Sequence, residues 1–237
     1  MVDFNQKLNR ENSTIVVLAG GFGTRLKDVL NGSPKPLANV NGRPFISYIL
    51  KKWIEKGYRN FIFSLHYQAL EIVNYLKNDP SFNECHFEFI IEPVAYGTGG
   101  AISYINSIIE LPEKFIVINA DTWVESDFES LDKFDQNVMM LVSINDSSRY
   151  GFVEIDENNL IVKFSEKSTS TSGLINCGIY KLEKSLFQNW KGNNFSLEKD
   201  LFTELIAAKT ILGNVIISRF IDIGVPEDYY KFCDLNK

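Results

Sequence analysis

The sequence predicts an α/β protein built on a mostly parallel central sheet with helices on both faces. Short apolar runs rich in β-branched residues recur along the first half of the chain, as strands buried on both faces of a sheet require. Amphipathic stretches alternate with these runs, and alternating strands and helices favour parallel pairing. From Val138 onward the pattern changes to short β-like runs separated by polar turns, which predicts a small antiparallel portion.

The first half supplies four strands and three helices. The first strand is "TIVVLAG", and the first long helix follows Pro44, with apolar residues from Phe45 to Ile54 at helical spacing and Gly57 after its end. The predicted strands cover residues 14–20, 60–65, 86–91 and 114–119. The predicted helices cover residues 45–54, 67–76 and 98–109.

The second half mixes strands and helices. Strands are predicted at residues 139–144, 151–155, 160–164, 174–180 and 214–220. Helices are predicted around Leu186, at residues 197–208 and from Pro226 to the end. Because no repeat or low-complexity linker interrupts the chain, we expect one domain at residues 14–237, preceded by a polar arm at residues 1–13.

Composition excludes several classes of protein. The 237 residues carry a net charge of −6, which removes the general attraction that nucleic acids and anionic membranes require. No apolar run could span a membrane and no signal peptide is recognisable, so we expect a cytoplasmic protein. The three cysteines are scattered and the histidines are few, which supports neither a disulfide framework nor a zinc site.

A glycine loop follows the first strand. Gly20, Gly21 and Gly23 can bring backbone N–H groups close to an anion, and Arg25 and Lys35 add positive charge. The loop lacks the third glycine of a dinucleotide fingerprint and the G-K-[ST] of a P-loop. Taken alone, it fits a tight turn as well as a phosphate site.

The segment "SPKP" favours the phosphate site, because Pro34 and Pro36 are expected to hold Lys35 in a stiff extended segment, and a lysine that reads phosphate gains from preorganisation. "LAGGFGTRL" followed by "PKP" resembles the signature of sugar-phosphate nucleotidyltransferases. The likeness continues in order through "EPVAYGTGGA", "NADTW", "RYGFV", "INCGIY", "SLEKDLF" and "FIDIGVPEDY". Within that family the chain is most similar to the D-glycero-α-D-manno-heptose 1-phosphate guanylyltransferases.

The resemblance implies a Rossmann-like nucleotidyltransferase fold, with a nucleotide-binding half at about residues 14–135 and a sugar-phosphate-binding half at about 136–237. It implies condensation of a nucleoside triphosphate, GTP above others, with a sugar 1-phosphate, D-glycero-α-D-manno-heptose 1-phosphate above others, to give a nucleotide sugar and pyrophosphate for bacterial surface polysaccharide. Alternatives are a mannose-1-phosphate guanylyltransferase, and a cytidylyltransferase acting on another sugar or polyol phosphate. A non-catalytic nucleotide-sugar sensor is a further alternative. Whether the chain forms a homo-oligomer stays open.

Mg²⁺ is the cofactor that this chemistry implies. A phosphate monoester is largely dianionic at neutral pH, its second pKa being about 6, so the nucleophile needs no histidine or serine base. It needs charge cancellation between two polyanions, which a divalent metal and cations supply. Asp121 directly follows an apolar strand, and Asp222 is flanked by two isoleucines, where an unpartnered carboxylate would be costly. By resemblance these two aspartates are the magnesium ligands.

The resemblance also assigns the other site residues. Arg25 would hold the β and γ phosphates, Lys35 would neutralise the α-phosphate, and Lys167 would hold the sugar's phosphate. The catalytic residues are then Arg25, Lys35 and Asp121. The nucleotide-binding residues are Leu18, Ala19, Gly20, Gly21, Gly23, Thr24, Glu92, Gly97 and Thr98. The sugar-phosphate-binding residues are Asn119, Gly151, Glu166, Lys167, Asn176 and Gly178.

Glu92 lies where relatives place a residue that reads the base. A carboxylate only accepts hydrogen bonds, and guanine offers N1–H and its amino group as a matching donor pair, with cytosine second. We therefore hypothesise that Glu92 favours guanine. The alternative is that Glu92 faces solvent and backbone groups select the base.

Overall fold

The structure is a computed structural model that describes residues 10–30, 32–145, 150–165 and 172–237. The chain forms two compact units. The first unit comprises Met1–Ala95, Ile118–Trp123 and Ile221–Lys237, and the second comprises Tyr96–Val117 and Val124–Phe220.

The secondary structure follows the alternation predicted for the first half. The strands are β1 (Thr14–Leu18), β2 (Asn39–Val40), β3 (Arg43–Pro44), β4 (Asn60–Leu65), β5 (His86–Ile91), β6 (Lys114–Asn119), β7 (Thr122–Val124), β8 (Asn137–Ile144), β9 (Phe152–Ile155), β10 (Ile161–Ser165), β11 (Gly173–Glu183), β12 (Ile211–Ile216) and β13 (Phe220–Asp222). The α-helices are α1 (Lys27–Leu30), α2 (Phe45–Glu55), α3 (Ala69–Asn78), α4 (Gly97–Ile108), α5 (Phe202–Ala207) and α6 (Pro226–Leu235). Short 3₁₀ turns lie at Thr24–Leu26, Lys35–Leu37, Pro80–Phe82, Phe128–Lys133 and Lys184–Phe187, and a π-helical turn at Leu197–Leu201.

The first unit is built on parallel strands. β1 pairs with β4 and β4 with β5, both in parallel, which confirms the predicted pairing. Ile15, Val16 and Val17 in β1 are fully buried, as an apolar strand covered on both faces should be. Because the strands are parallel and in register, the residues that follow β1, β4 and β5 meet at one edge of the sheet.

The helices of the first unit bury the faces that the sequence predicts. In α2 the buried side chains are Phe45, Ile46, Ser47, Ile49, Leu50 and Trp53. Phe232 of α6 packs edge-on against Phe45 and Tyr48, with ring centroids 4.8 and 5.5 Å apart, and against Trp123 at 5.3 Å. These contacts attach the C-terminal helix to α2 and to the residues that follow Asp121 in the chain.

Part of the predicted N-terminal arm packs on the first unit. Arg10 is buried, its guanidinium lies 6.0 Å from the ring centroid of Tyr58, and it donates to the Lys56 carbonyl at 3.4 Å. Asn60 donates to the Glu11 carbonyl at 2.5 Å, so these residues hold the chain against the start of β4.

The second unit contains the predicted antiparallel portion. β11 pairs antiparallel with β8 and β9, β9 pairs antiparallel with β10, and β12 adds to β8 in parallel. The last of these strands spans Ile211–Ile216 rather than residues 214–220, because its register is set by pairing with residues 137–142 of β8. Around Leu186 the chain forms a 3₁₀ turn where a longer helix was predicted.

Within the described residues, no helix is both long and apolar enough to cross a membrane.

Candidate active site

The glycine loop lies at the edge of the sheet where β1, β4 and β5 end. Gly23 has a φ of 62°, and a Cβ on it would lie 3.2 Å from the Lys35 Cβ and 3.2 Å from the Leu30 side chain. Gly20 approaches the chain after β4 just as closely, since a Cβ there would lie 3.3 Å from the Cβ of His66. Gly20 and Gly23 therefore let the loop backbone pack closely against the segments after β4 and around Lys35. Gly21 has no such neighbour, since a Cβ there would meet open space.

Lys35 connects the loop to the two aspartates. The prediction of an extended segment at Lys35 is wrong: only Pro34 is extended, with φ −67° and ψ 147°, and Lys35 and Pro36 lie in the 3₁₀ turn that it starts. Proline is favoured in the first turn of a helix, which is why Pro36 fits there. The Lys35 side chain is 11% exposed, and its Nζ lies 2.6 Å from Asp121 Oδ2 and 3.7 Å from Asp222 Oδ1. The structure thus brings together the three charged residues that the sequence predicts at widely separated positions.

The two aspartates are placed by backbone hydrogen bonds. The N–H of Ala120, directly after β6, donates to the Leu18 carbonyl at 3.1 Å and places Asp121 beside the end of β1. The N–H of Ile223 donates to the Asp121 carbonyl at 3.0 Å, so Asp222 lies next to Asp121. Both carboxylates therefore stand at the edge of the sheet that carries the glycine loop.

The pKa values of the aspartates diverge. Burial raises the pKa of Asp121, but the charge and hydrogen bond of Lys35 outweigh it, so this pKa lies below its ordinary value. Burial, followed by repulsion from Asp121, raises the pKa of Asp222 to about 6. In the part of the chain that the structure describes, Asp222 Oδ1 is buried and has no hydrogen-bond partner. Lys35 Nζ, 3.7 Å from this oxygen, and Arg25 both lower the pKa of Asp222, but they do not offset burial and the repulsion from Asp121.

These residues fit a magnesium ion. Mg²⁺ takes one or two carboxylates and fills its other positions with water and phosphate oxygens. Among the described residues no group of three or more His, Cys, Asp or Glu side chains could hold a metal, so this candidate site has two carboxylates and no third protein ligand of that kind. Asp222 Oδ1 is buried without a hydrogen-bond partner, with Lys35 Nζ 3.7 Å away, and is an oxygen that a divalent cation could take as a ligand.

Arg25 and Thr24 form the outer part of the loop. Both side chains are exposed in the 3₁₀ turn after Gly23, and the positive charge of Arg25 counts among the influences that lower the pKa of Asp222. Arg25 therefore supplies a cation that can meet a ligand in solution. Leu18 and Ala19, also predicted for the nucleotide, form the transition from β1 to the glycines.

Glu92 lies beneath the glycine loop and does not face solvent. It is 6% exposed, and its Oε1 accepts a hydrogen bond from Ser64 at 2.7 Å. A Cβ on Gly20 would lie 3.4 Å from the same Oε1, and the Glu92 carbonyl lies 3.0 Å from the His66 ring nitrogen Nδ1. The carboxylate therefore supports the loop, and its reading of guanine stays a prediction.

Sequence reasoning missed Ser64 and His66, which contact Glu92. Two signals could have found them. Ser64 is a buried polar residue inside the apolar strand "NFIFSL", and His66 directly follows the end of that strand.

In the second unit, Gly97 and Thr98 form the first turn of α4. The N–H groups of Gly99 and Gly100 donate to the Phe195 carbonyl at 3.1 and 3.2 Å, and a Cβ on Gly99 would lie 2.2 Å from the Phe195 ring. Gly97 has a φ of 77°, and a Cβ there would lie 2.6 Å from the same carbonyl oxygen. Part of the glycine pattern in "GTGG" therefore serves packing against Phe195.

Three of the residues predicted for the sugar phosphate lie together in the second unit. The Asn176 N–H donates to the Gly151 carbonyl at 3.0 Å, and the Gly178 N–H donates to the Asn176 side chain at 2.9 Å. The Asn176 amide also donates to the Tyr180 hydroxyl at 2.8 Å. Gly178 has a φ of 73° and lies in the irregular stretch of β11 between Asn176 and Tyr180, which holds this amide in place.

The remaining predicted sugar-phosphate residues are Asn119, Glu166 and Lys167. Asn119 ends β6 in the first unit. Glu166 and Lys167 lie outside the described residues.

A glycine loop after β1, a lysine held between two prolines and two adjacent aspartates that contact this lysine are an arrangement that suits the transfer of nucleotidyl groups. A family model described as nucleotidyl transferase matches residues 14–235. The chain belongs to the nucleotidyl transferase family, and it is a sugar-phosphate nucleotidyltransferase.

Known proteins of this family resemble almost the whole chain. The D-glycero-α-D-manno-heptose 1-phosphate guanylyltransferase of Campylobacter jejuni is 36% identical over 223 residues, covering 92% of this chain and 97% of that protein. HddC of Yersinia pseudotuberculosis, in a crystal structure complexed with GMP-PN, matches with a TM-score of 0.83 and 36% identity over 95% of this chain and 100% of that one. The mannose-1-phosphate guanylyltransferase catalytic subunit beta of Drosophila pseudoobscura is 28% identical, covering 90% of this chain and 60% of that protein. These similarities confirm the predicted family, fold class and enzyme class.

Proposed function

We propose that this enzyme condenses GTP with D-glycero-α-D-manno-heptose 1-phosphate to give the GDP-heptose and pyrophosphate, as a precursor of bacterial surface polysaccharide. The convergence of Lys35, Asp121 and Asp222 at one point carries the chemical part of this proposal. The names of the Campylobacter jejuni relative and of HddC's ligand support the choice of sugar and base. A cytoplasmic location fits both substrates.

The reaction forms a bond between an oxygen of the sugar phosphate and the α-phosphorus of GTP, and it breaks the bond from that phosphorus to the β-phosphate. The nucleophile is already anionic, so the main task of the protein is to offset negative charge and align the two groups. Lys35, which lies between two prolines, would neutralise the α-phosphate. Arg25, exposed on the loop, would hold the leaving β and γ phosphates.

Asp121 and Asp222 would hold the Mg²⁺ ion, which supplies charge to the phosphate oxygens when bound. The backbone N–H groups of Gly20, Gly21 and Gly23 would present donors to the same phosphates. The Gly151, Asn176 and Gly178 cluster would contact sugar hydroxyls, with Glu166 and Lys167 as further proposed contacts.

Mannose 1-phosphate is the second candidate sugar, because the chain resembles a mannose-1-phosphate guanylyltransferase subunit over 90% of its length. The two sugars differ by hydroxyl and carbon positions that a few hydrogen bonds can read, so the fold alone does not choose between them.

The test is pyrophosphate release with Mg²⁺ across the four nucleoside triphosphates, each combined with the heptose, mannose and glucose 1-phosphates. We expect turnover with GTP and the heptose, and its loss in Asp121→Asn. Higher kcat/KM with mannose 1-phosphate would support the second candidate. Binding of nucleotide without turnover of any pair would contradict an enzyme and favour a sensor.

A further inference from the structure

The second unit contains a groove of about 430 Å³ between α4 and residues 185–204, which we call the α4 groove. Sites for small molecules have volumes of roughly 300–1,000 Å³, so the α4 groove is large enough for one. None of the predicted site residues that the structure describes lines it. The groove is therefore separate from the residues to which the reaction has been assigned.

Ser103 of α4 lines the groove and is left without a partner. It is 2% exposed, and its Oγ is buried with no hydrogen-bond partner among the described residues. Buried hydroxyls are nearly always hydrogen-bonded, and a serine within a helix can bond to the carbonyl one turn earlier. The missing partner of Ser103 is one that a molecule in the groove could supply.

Trp190 offers a fixed aromatic surface in the same groove. Its indole N–H donates to the Asn193 carbonyl at 2.7 Å, and its ring lies edge-on to Tyr96 and Tyr104, with centroids 4.8 and 6.1 Å away. These contacts set the orientation of the ring before any ligand binds, which lowers the entropic cost of binding. A flat apolar ring with polar neighbours matches one face of a sugar ring.

The charges of the groove exclude a phosphorylated ligand. Asp200 and Glu204 line it four residues apart, and no lysine or arginine of the described chain does. Carboxylates accept hydrogen bonds from hydroxyl groups and repel phosphates. Asn189 adds an amide that can donate and accept.

We propose that the α4 groove is a second binding site, for a neutral, ring-shaped polyhydroxylated molecule such as an unphosphorylated pyranoside. Ser103 bonds to one hydroxyl, Trp190 contacts the apolar face of the ring, and Asp200 and Glu204 accept hydrogen bonds from other hydroxyls.

The groove also touches the turn that begins α4. Phe195 lines the groove, and its carbonyl holds the N–H groups of Gly99 and Gly100. Thr98 Oγ1 donates to Glu198 at 2.8 Å and accepts the Leu197 N–H at 2.8 Å, which fastens the same segment to the turn. An occupied groove therefore changes the KM for the nucleoside triphosphate, a consequence that rests on the proposed function.

The binding test needs no nucleotide, so it is independent of turnover. Tryptophan fluorescence is titrated with the methyl α-pyranosides of mannose, glucose and galactose, for the unaltered protein and for Trp190→Phe. We expect a saturable signal with at least one glycoside that Trp190→Phe abolishes. Absence of a saturable signal with all three, or its persistence in Trp190→Phe, would overturn the proposal.

Two serine variants distinguish a role of Ser103 in ligand binding from a role in stability alone. Ser103→Ala should weaken the affinity about tenfold, the loss that a hydrogen bond worth about 1.4 kcal/mol implies. Ser107→Ala is the matched control, because Ser107 is exposed on the same helix and donates to the Tyr104 carbonyl. A higher Tm for Ser103→Ala with unchanged glycoside affinity would show a purely structural hydroxyl and overturn the proposal. If the glycosides bind and pyrophosphate release fails with every substrate pair, only the proposed function falls.

Discussion

Two clusters of proposed site residues differ in charge. One is Lys35, Asp121 and Asp222 in the first unit, and the other is Gly151, Asn176 and Gly178 in the second unit. The first consists of charged side chains held at 2.6 and 3.7 Å, with one buried carboxylate oxygen unsatisfied. The second consists of backbone and amide groups that bond to one another. Unbalanced charge suits transfer between polyanions, whereas a fixed neutral amide suits the recognition of hydroxyls. We expect changes in the first cluster to alter kcat for every substrate pair, and changes in the second to alter KM for the sugar.

The strongest test of this difference is Asp121→Asn. The variant removes a proposed Mg²⁺ ligand and so weakens the charge stabilisation that the metal would supply. Loss of one group that stabilises transition-state charge costs about 10²–10³-fold, so kcat should fall by about 10³-fold for every sugar tested. Asp127→Asn is the control, because Asp127 is exposed with a φ of 69° that asparagine also tolerates. Steady-state pyrophosphate release measures both variants. A loss of kcat that depended on the sugar would contradict the separate roles that we assign to the two clusters.

Asp222→Asn should separate activity from stability. We expect kcat to fall about 10²-fold, since a proposed metal ligand is lost. The Tm of the metal-free protein should rise at neutral pH, because burial and then Asp121 raise the pKa of Asp222 to about 6, so its charged form destabilises the fold. Thermal unfolding in a chelator measures the shift. An unchanged or lower Tm would show that Lys35 already balances both carboxylates.

Glu92→Gln tests whether the first unit also selects the base of the nucleotide. If the carboxylate reads guanine, the preference for GTP over UTP in kcat/KM should fall about tenfold, because an amide no longer matches two donors. Glu88→Gln is the control, because Glu88 lies on β5, the strand that ends directly before Glu92 in the chain, and its side chain is 42% exposed. A uniform loss for all four nucleotides would mean that Glu92 supports Gly20 without reading the base.

Gly178→Ala tests the neutral cluster and should have the smallest effect. Both Gly178 and Gly192 have positive φ, at 73° and 82°, so alanine at either should destabilise the protein by about 1 kcal/mol. Only Gly178→Ala should raise the KM for the sugar 1-phosphate, by a few-fold, since it moves the Asn176 amide. Equal KM values for the sugar 1-phosphate in Gly178→Ala and Gly192→Ala would show that this cluster does not contact the sugar.

The sequence predicted the strands that position the site because β1, β4 and β6 are mostly apolar runs and β5 carries alternating phenylalanines, and the strands lie where these patterns lie. Asp121 lies two residues after the end of β6, close to where the sequence predicted a carboxylate. It could not predict the short hairpin of β2 and β3, whose two-residue strands carry no periodic signal. The contact of Ser64 with Glu92 was likewise out of reach, because it depends on the register between β4 and β5.

The second unit was harder to predict for the same reason. β12 begins earlier than its apolar pattern suggests because β8 fixes its register, and the hydrogen bond of Asn176 to Tyr180 exists only because β11 is irregular there. Hydrophobic periodicity in the sequence indicates which residues of one strand are buried. The register and the bulges of that strand depend on its pairing with a neighbouring strand.

The packing of Phe195 on Gly99 limits which sequences can replace this one. A Cβ at position 99 would lie 2.2 Å from the Phe195 ring, so we expect the residues at these two positions to vary together. Natural relatives with a larger residue at the first position should carry a smaller one at the second. A chimera of two relatives whose crossover lies between positions 99 and 195 takes one residue of the pair from each parent. We expect it to fold well only when both parents carry the same residues at these two positions.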